Sequence, residues 1–546
     1  MAKQNSQSIA FPKLTDSQII AIDNLATLKS FQDGERLFEA GESDFKFFVI
    51  KKGQVEIVER STGKRKTVTV HEEKEFTGDV DMLTGKPSLV TAIAKGNCEV
   101  YEISASVLRR ILKEIPKLGD CILQAFLERR QLLEASGFMG LKVVGSKFSR
   151  DTFRIRDFLS KNRVPFTWLD IEKDRQVSEL LKQFEISEAE TPIVAFENNS
   201  ILKNPSNQEL GESLGIKKPL ADTVYDLVVV GAGPAGLAAA VYGASEGLNT
   251  VVLEKSAPGG QAGCSSKIEN YLGFPTGLSG TELATCAFLQ AEKFGTQFST
   301  PSEVVGLEFD SSYNVLKLAS GESVSAKCVL IATGVYYRKL NVEGGEQFDG
   351  AGIYYSATNV EAQMCRNSTV VVVGGANSAG QAAIFLSEYA KKVLLLIRGD
   401  DLSQKMSQYL VRRLKQTDNI ELLINSEISK MQGNDVLRSV EIRNNKTHQT
   451  KIVETSAVFI FIGAIPRTDW LPSQIEVDDK GFVKTGPQVA DSKAWLAGRQ
   501  PFLLETSRPG IFAAGDVRLG SMKRVASAVG EGSMAVQFVH QILDKL

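Results

Sequence analysis

Residues 225–240 read YDLVVVGAGPAGLAAA, and this stretch decides the fold of the larger part of the chain. An apolar run leads into the pattern G-x-G-x-x-G, and a run of small residues follows. The pattern predicts a buried strand, a tight turn and a helix. Gly231 permits the turn, Gly233 lets the backbone approach a pyrophosphate, and Gly236 lets the helix pack on the strand. The helix that begins at Pro234 and Ala235 directs its first N–H groups at that anion.

A second strand and an acid complete this unit. The strand Thr250–Leu253 ends in Glu254, 23 residues after Gly231, where dinucleotide-binding folds use a carboxylate to hold a ribose hydroxyl. A glycine-rich turn by itself also occurs without any ligand. The order strand, turn, helix, strand and acid favours a bound dinucleotide over that alternative.

Four further segments follow in order: PGGQ at 258–261, ENYLGFP at 269–275, IATG at 331–334 and GIFAAGD at 510–516. With them, residues 224–543 resemble the low-molecular-weight thioredoxin reductases, whose FAD is lined by such segments. The resemblance implies that Asp516 bonds the ribityl-phosphate side of the flavin and that Gln261 and Asn270 lie near it. One loop departs from the family, because its Arg-Gln is Arg524-Val525 here. The other FAD-binding residues implied are Gly260, Thr333 and Gly334.

A second dinucleotide unit is inserted in the first. The strand Thr369–Val373 leads into GGANSAG at 374–380. The reductase family binds NADPH here, and the matching residues are Gly374, Gly375, Asn377 and Ser378. Ala376 replaces the middle glycine, so its methyl group either weakens pyrophosphate binding or is absorbed by a small shift. The alternative is a degenerate unit that no longer binds a nicotinamide.

The residue after the next strand distinguishes two nicotinamide cofactors. The strand Val393–Ile397 ends in Arg398 and not in an acid. A 2′-phosphate therefore gains a cation, whereas a bare ribose diol lacks its partner, which predicts NADPH over NADH. Four nearby charges bear on this prediction: the possible second cations Lys405 and Arg412, and the opposing acids Asp400 and Asp401.

The redox-active cysteines of the reductase family are missing. The family places C-A-T-C before the second unit, and Ser356-Ala357-Thr358-Asn359 stands there instead. Disulfide exchange needs a thiolate and a resolving thiol, so Ser356 and Asn359 cannot carry it and no catalytic residue is predicted. Cys264 lies near Gln261 but has no neighbouring cysteine. Packing is the favoured role of Cys286, Cys328 and Cys365.

The N-terminal part has a sequence pattern that predicts a different fold. Short predicted strands at 46–50, 55–58, 67–71, 89–94 and 99–103 precede helical spacing over 107–133. With Gly78-Asp79-Val80 this resembles the cyclic-nucleotide-binding domains, in which a glutamate holds the ribose and an arginine pairs with the phosphate. Here the acid is the shorter Asp79, and no arginine lies between Pro87 and Leu108. Packing is therefore favoured over nucleotide sensing, with Lys86 as the only substitute cation.

Residues 141–216 read β-α-β-α-β and resemble a thioredoxin or glutaredoxin fold. Thr191-Pro192 stands where that family has a cis-proline. The family's C-x-x-C falls on Ser149-Arg150-Asp151-Thr152, which cannot perform disulfide exchange. A docking or structural module is expected.

These segments predict a multidomain chain: an all-β roll with a C-terminal helix, a thioredoxin-like α/β domain, and two Rossmann-like α/β domains of the thioredoxin reductase type. The predicted boundaries are 1–136 for the cyclic-nucleotide-binding-like domain, 137–217 for the thioredoxin-like domain, 222–337 with 463–546 for the FAD domain, and 338–462 for the NAD(P)H domain.

Composition narrows the partners. The 63 Lys and Arg residues nearly balance 65 Asp and Glu residues, which argues against nucleic acid. No apolar run reaches the roughly 20 residues that span a bilayer, and the polar N-terminus lacks a secretory signal, so a cytoplasmic protein without membrane contact is expected. Three scattered histidines predict no metal site.

The leading functional hypothesis is an FAD enzyme, reduced by NADPH, that passes electrons to an unknown small-molecule or protein acceptor other than a dithiol. A regulatory or redox-sensing flavoprotein that uses its N-terminal domains as effector or docking modules is the first alternative. A thioredoxin-disulfide reductase that uses unusual cysteines is the weaker one. The reductase resemblance also implies a homodimer.

Overall fold

The computed structural model describes residues 8–59, 66–135, 141–174, 176–196, 200–265, 267–310, 313–402, 406–434, 436–495 and 497–545. In this part of the chain, no helix is both long and apolar enough to cross a membrane.

The N-terminal unit, residues 8–135, is an antiparallel β-roll with helices before, within and after it. Two predicted pairs of short strands are in fact two long strands, because Gly53 and Gly96 adopt positive φ and form irregularities within the strands instead of turns. The strands are Thr27–Phe31, Arg36–Phe38, Phe47–Glu59, Lys66–His71 and Thr91–Ile103, and the helices are Asp16–Asp23, Asp81–Thr84, Ala105–Glu114 and Pro116–Ala135.

The helical spacing predicted over 107–133 is divided between two helices. Ala105–Glu114 ends just before Pro116, which begins the second helix. Proline cannot donate a backbone hydrogen bond and disfavours helical backbone at the preceding residue, and Ile115 accordingly has φ −121° and ψ 77°.

Asp79, the predicted ribose ligand, is held in an internal ion pair. Its Oδ2 atom lies 2.7 Å from Nη2 of Arg130, and Asp81 Oδ2 lies 2.5 Å from the same nitrogen. Lys86 donates from Nζ to the backbone oxygen of Asn162 in the next unit at 2.8 Å. Both charged groups have protein partners, which favours the packing interpretation; weak or absent cyclic-nucleotide binding stays a prediction.

The middle unit, residues 141–216, is a four-stranded mixed sheet with helices. The Thr191–Pro192 peptide is cis, as predicted. Ser149 accepts a hydrogen bond from the backbone N–H of Thr152 at 3.2 Å and so caps a helix. The strands are Lys142–Gly145, Thr167–Asp170, Ile193–Ala195 and Ile201–Lys203, and the helices are Arg150–Lys161, Gln176–Gln183 and Asn207–Ser213.

The sheet of the first dinucleotide unit is built from two separate stretches of the chain. Val224–Val230 lies between Thr250–Leu253 and Ser323–Ile331 in parallel register, and Ile511–Ala513 joins the far side of Ser323–Ile331. The chain therefore leaves this sheet and returns to it. The other strands are Gln297–Ser299, Val304–Phe309, Asn314–Leu318, Val335–Tyr337 and Ala464–Pro466, and the helices are Pro234–Ser245, Gly260–Gly263, Gly280–Phe294 and Val525–Leu543.

The strands of the second dinucleotide unit lie between these two stretches in the sequence. This unit has a five-stranded parallel sheet and a three-stranded antiparallel sheet. The parallel strands are Ile353–Tyr354, Val458–Ile460, Thr369–Val373, Lys392–Leu396 and Ile420–Leu423, the antiparallel strands are Ser426–Gly433, Leu437–Asn444 and Thr450–Glu454, and the helices are Asn359–Met364, Asn377–Ser387 and Gln408–Lys415.

Two close contacts hold the first dinucleotide unit in place. A Cβ atom on Gly532 would lie 2.1 Å from the backbone oxygen of Ala235, so the C-terminal helix rests directly on the helix of the first glycine-rich turn. On the other side, Leu289 of helix Gly280–Phe294 is part of the apolar core of the N-terminal unit. The turn thus lies within a continuous packed body.

Two glycines of the same helix test the first contact. Gly532→Ala should lower the free energy of unfolding by about 1–3 kcal/mol, because the added methyl group overlaps Ala235. Gly530→Ala, whose new methyl group would meet nothing within 4 Å, should raise stability by up to about 1 kcal/mol through helix propensity. Denaturant unfolding of both variants measures this, and equal effects would show that the contact is not close.

Candidate functional site

The first glycine-rich turn is closed on one side and open on the other. A Cβ atom at Gly231 would lie 2.5 Å from the backbone oxygen of Ala332, and one at Gly236 would lie 1.9 Å from that of Gly231. A Cβ atom at Gly233 would meet nothing within 4 Å. The backbone is therefore pressed against the sheet while the helix N-terminus at Pro234 faces free space, as a pyrophosphate site requires.

Glu254 lies beside this turn with its carboxylate already oriented. Its Oε2 atom accepts from the backbone N–H of Ala232 and its Oε1 atom from that of Ser256, each at 2.8 Å. Burial raises the pKa of Glu254, and these N–H donors oppose that effect. A carboxylate has about four acceptor positions, so Glu254 can still accept a ribose hydroxyl. The turn and this acid fit the adenosine half of FAD.

Residues distant in sequence converge on the same turn. A Cβ atom at Gly260 would lie 2.9 Å from Cα of Gly233, and one at Gly515 would lie 3.2 Å from Cβ of Ala235. Gly334 adopts φ +61° and faces open space. Thr333 donates its hydroxyl to the backbone oxygen of Arg467 at 2.9 Å, which joins the two halves of the unit.

The half-buried Asp516 is positioned by a pair that sequence reasoning missed. Glu531 accepts from the backbone N–H of Gly515 at 2.7 Å and lies 2.5 Å from Nη2 of Arg518. The residue types carried no signal for it, since the two partners lie on a turn and on the C-terminal helix. Burial raises the pKa of Asp516, and Lys523 opposes that effect.

The other predicted flavin residues lie around this group. Gln261 reaches the backbone oxygen of Val335 from its side-chain amide at 3.5 Å. Asn270 is exposed, and Arg524 precedes the helix that begins at Val525. Their contacts with a flavin stay a prediction.

The second glycine-rich turn has a similar closed side. A Cβ atom at Gly374 would lie 2.5 Å from the backbone oxygen of Phe461, and one at Gly375 would lie 3.1 Å from Ile397. Ala376 has φ −115° and ψ 179°, extended backbone that any residue adopts. Asn377 accepts from the backbone N–H of Ser407 at 2.8 Å. Because the backbone of Ala376 is extended, the alanine causes no backbone strain in this turn.

Tyr337 connects the two turns, and sequence reasoning missed it as well. Burial raises the pKa of the Tyr337 hydroxyl, and a hydrogen bond with Ser378 opposes that effect. The carboxylate of Asp516 also raises the pKa of this hydroxyl. The two turns therefore face a common region.

Two of the cations predicted to bind the 2′-phosphate are exposed. Arg398 is exposed just beyond the strand Lys392–Leu396, and Arg412 is exposed on its helix. Asp400 lies 3.4 Å from Nζ of Lys446, which offsets its charge. Lys405 lies outside the described residues.

The positions of the missing dithiol, Ser356 and Asn359, lie on either side of a helix cap formed by Thr358. Ser356 donates its hydroxyl to Oε1 of Glu361 at 2.8 Å, and the backbone N–H of Thr358 donates to Oε2 at 2.7 Å. Glu361 is 0% exposed, and burial raises its pKa. Asn359 begins the helix. These side chains therefore have a structural role that needs no thiol.

All six cysteines lie in the described residues, and all are free. Burial raises the pKa of Cys328 and of Cys365 to about 12, so both stay protonated at neutral pH. Burial also raises the pKa of the Cys264 thiol. A nucleophilic thiolate is disfavoured at each position.

Comparison with known proteins agrees with this geometry. The family model described as pyridine nucleotide-disulphide oxidoreductase matches residues 225–532, and a cyclic nucleotide-binding domain model matches residues 28–115. The thioredoxin reductase of Bacillus subtilis is 31% identical over 60% of this chain and 96% of its own length. That of Treponema pallidum is 33% identical over 60% and 99%.

The comparison with solved structures also finds similarity to thioredoxin reductases. Lactococcus lactis thioredoxin reductase in its FR conformation has a TM-score of 0.53 at 29% identity, covering 59% of this chain and all of that one. The thioredoxin reductase of T. acidophilum has a TM-score of 0.52 at 31% identity, covering 58% and 98%. These matches favour the enzyme over the regulatory flavoprotein, and they confirm the predicted FAD and NADPH as the cofactors of the family. The chain therefore belongs to the pyridine nucleotide-disulphide oxidoreductases, as an FAD-dependent, thioredoxin reductase-like member that also carries an N-terminal cyclic nucleotide-binding domain.

Proposed function

We propose that this chain oxidises NADPH through FAD and delivers the electrons to an acceptor other than a dithiol. The observation that carries the proposal is that Ser356, which donates to Glu361, and Asn359, which begins the helix capped by Thr358, stand where the family's redox-active cysteines would be. Bound flavin supplies the redox chemistry, accepting a hydride and passing on two electrons. The protein supplies orientation and electrostatics.

Separate groups of residues bind the two cofactors. Gly231, Gly233 and Gly236 admit the FAD pyrophosphate, and Glu254 accepts from its ribose. Arg398 provides the cation for the NADPH 2′-phosphate. The flavin itself is held by Gly260, Gln261, Asn270, Thr333, Gly334, Asp516, Arg524 and Val525, and the NADPH pyrophosphate by Gly374, Gly375, Asn377 and Ser378.

Loss of the Arg398 side chain should distinguish the two nicotinamides. A charge-assisted hydrogen bond contributes about 1.5–3 kcal/mol, so Arg398→Ala should weaken NADPH binding roughly ten- to a hundredfold and leave NADH nearly unchanged. Anaerobic stopped-flow reduction of the flavin measures both affinities. The control is Arg443→Ala, whose guanidinium pairs with Glu427 on the antiparallel sheet. An equal loss for both nicotinamides would show that Arg398 does not contact the phosphate.

A cysteine-free variant tests the acceptor class. With all six cysteines changed to serine or alanine, flavin reduction by NADPH should persist, because no thiol takes part. Thioredoxin reduction should stay near background in both the variant and the wild type. The proposal is wrong if wild-type protein reduces thioredoxin rapidly and Cys264→Ser alone abolishes that turnover.

A further inference from the structure

A small cavity lies where the N-terminal unit, the middle unit and the first dinucleotide unit meet. Lys86 reaches it from the first of these units, Arg163 from the second and Thr300 from the third. Its volume is about 70 Å³, which exceeds the roughly 10–15 Å³ that one water molecule needs and is well below the roughly 300 Å³ of the smallest cofactor sites. The cavity therefore has room for a small ion and not for a nucleoside.

The three units are packed tightly around this cavity. A Cβ atom at Gly215 of the middle unit would lie 2.9 Å from Cδ of Pro87 in the N-terminal unit. One at Gly211 would lie 2.5 Å from Cδ of Pro301 in the first dinucleotide unit. Because these contacts restrict access of bulk water, charges between them are weakly screened, and their balance affects the stability of the junction.

Cations outnumber acids in the described lining of the cavity. The basic side chains are Lys86, Lys161, Arg163 and Lys218, and the acid is Glu292. Lys218 Nζ lies 3.2 Å from Oε1 of Glu292, and Lys161 Nζ lies 2.7 Å from Oδ2 of Asp157 beside the cavity. Even with Asp157 included, four cations face two acids. The wall therefore keeps an excess of positive charge, which attracts an anion.

Lys86 is the cation with the most capacity to bind a ligand. Its Nζ atom donates to a backbone oxygen of the middle unit at 2.8 Å, and within the described residues this is the hydrogen bond that its ammonium group makes. An ammonium group has three N–H donors, so two can serve a ligand. Burial lowers the pKa of Lys86 to about 8; Asp81 opposes this effect, and the cations Arg130, Arg163 and Lys218 add to it. An anion in the cavity would stabilise the protonated form.

A hydroxyl group in the same wall also lacks a partner. Thr300 is 3% exposed, and its Oγ1 atom has no hydrogen-bond partner in the part of the chain that the structure describes. Leaving a buried hydroxyl unsatisfied is costly. An acceptor atom in the cavity would give Thr300 its partner, and the same acceptor group could receive a hydrogen bond from Lys86.

We infer that this cavity binds a small tetrahedral oxyanion, inorganic phosphate or sulfate, which joins the three units. Lys86 and Arg163 supply charged donors, and Thr300 supplies a neutral one. The ligand is structural and takes part in no reaction. This site differs from the nucleotide pocket implied by the cyclic-nucleotide-binding resemblance, because the N-terminal unit contributes only the turn at Thr84 and Lys86 to the described lining and the cavity is too small for a nucleoside.

Calorimetric titration of the FAD-loaded protein tests the site, with inorganic phosphate, sulfate and glucose 6-phosphate as ligands at constant ionic strength. The Arg398→Ala variant serves as the background, because phosphate also suits the predicted 2′-phosphate position. Phosphate and sulfate should each bind one-to-one. Glucose 6-phosphate carries the same phosphoryl group on a bulky sugar and should bind at least tenfold more weakly. Absence of one-to-one binding would overturn the inference, and so would equally tight binding of the sugar phosphate.

Variants in this background locate the bound anion. Lys86→Gln should weaken phosphate binding roughly ten- to a hundredfold, because a charge-assisted hydrogen bond is lost, and Thr300→Val about two- to tenfold, because a neutral one is lost. Lys29→Gln is the matched control, since Lys29 belongs to the same unit and pairs with Glu102 at 2.8 Å. Unchanged affinity in Lys86→Gln, or an equal loss in Lys29→Gln, would place the anion elsewhere.

Thermal unfolding provides a readout that does not depend on binding heats. A ligand that binds only the folded protein raises the Tm. At constant ionic strength, sulfate should raise the Tm of the background protein and of Lys29→Gln more than that of Lys86→Gln. Equal increases in all three would contradict the inference. If Lys86→Gln does not retain the flavin spectrum of a folded protein, the same comparison made with Thr300→Val decides the question.

Discussion

The close packing of the first glycine-rich turn is the constraint on which the rest of the structure depends. Gly231 and Gly236 press the turn against the sheet, and Gly532 lets the C-terminal helix rest on Ala235 from the other side. Of the three glycines in this turn, Gly233 is the one at which a Cβ atom would lie in open space. Segments more than 250 residues apart therefore have to meet before this site exists.

The architecture is that of the thioredoxin reductases, but hydroxyl and amide side chains occupy the positions of the dithiol. Ser356, Thr358 and Glu361 form a hydrogen-bonded cap where a dithiol would lie. In the middle unit, Ser149 caps its helix by accepting from the backbone N–H of Thr152. Hydroxyl groups suit both positions because they bond to backbone N–H groups or carboxylates at helix starts. Neither position retains a group that can exchange disulfides.

Local sequence signals predicted the parts of the fold that depend on local physics. The glycine-rich turns, the strand Thr250–Leu253 and the cis peptide before Pro192 all follow from backbone requirements of nearby residues. Sequence did not reveal the ion pair of Asp79 with Arg130, the hydrogen bond of Tyr337 with Ser378, or the contact of Phe153 with Tyr354. Each of these joins elements that are distant in the chain, and their pairing is decided by tertiary packing.

The central claim is that electrons pass from the flavin directly to an external acceptor, with no dithiol between the two. Anaerobic titration of the purified flavoprotein with NADPH tests this most directly, with flavin absorbance and NADPH consumption followed together. A protein with flavin alone takes up one equivalent of NADPH per FAD, because the flavin holds two electrons. A flavin with a redox-active disulfide takes up a second equivalent. We predict one equivalent; uptake of two would reveal a disulfide in the electron path and contradict the account.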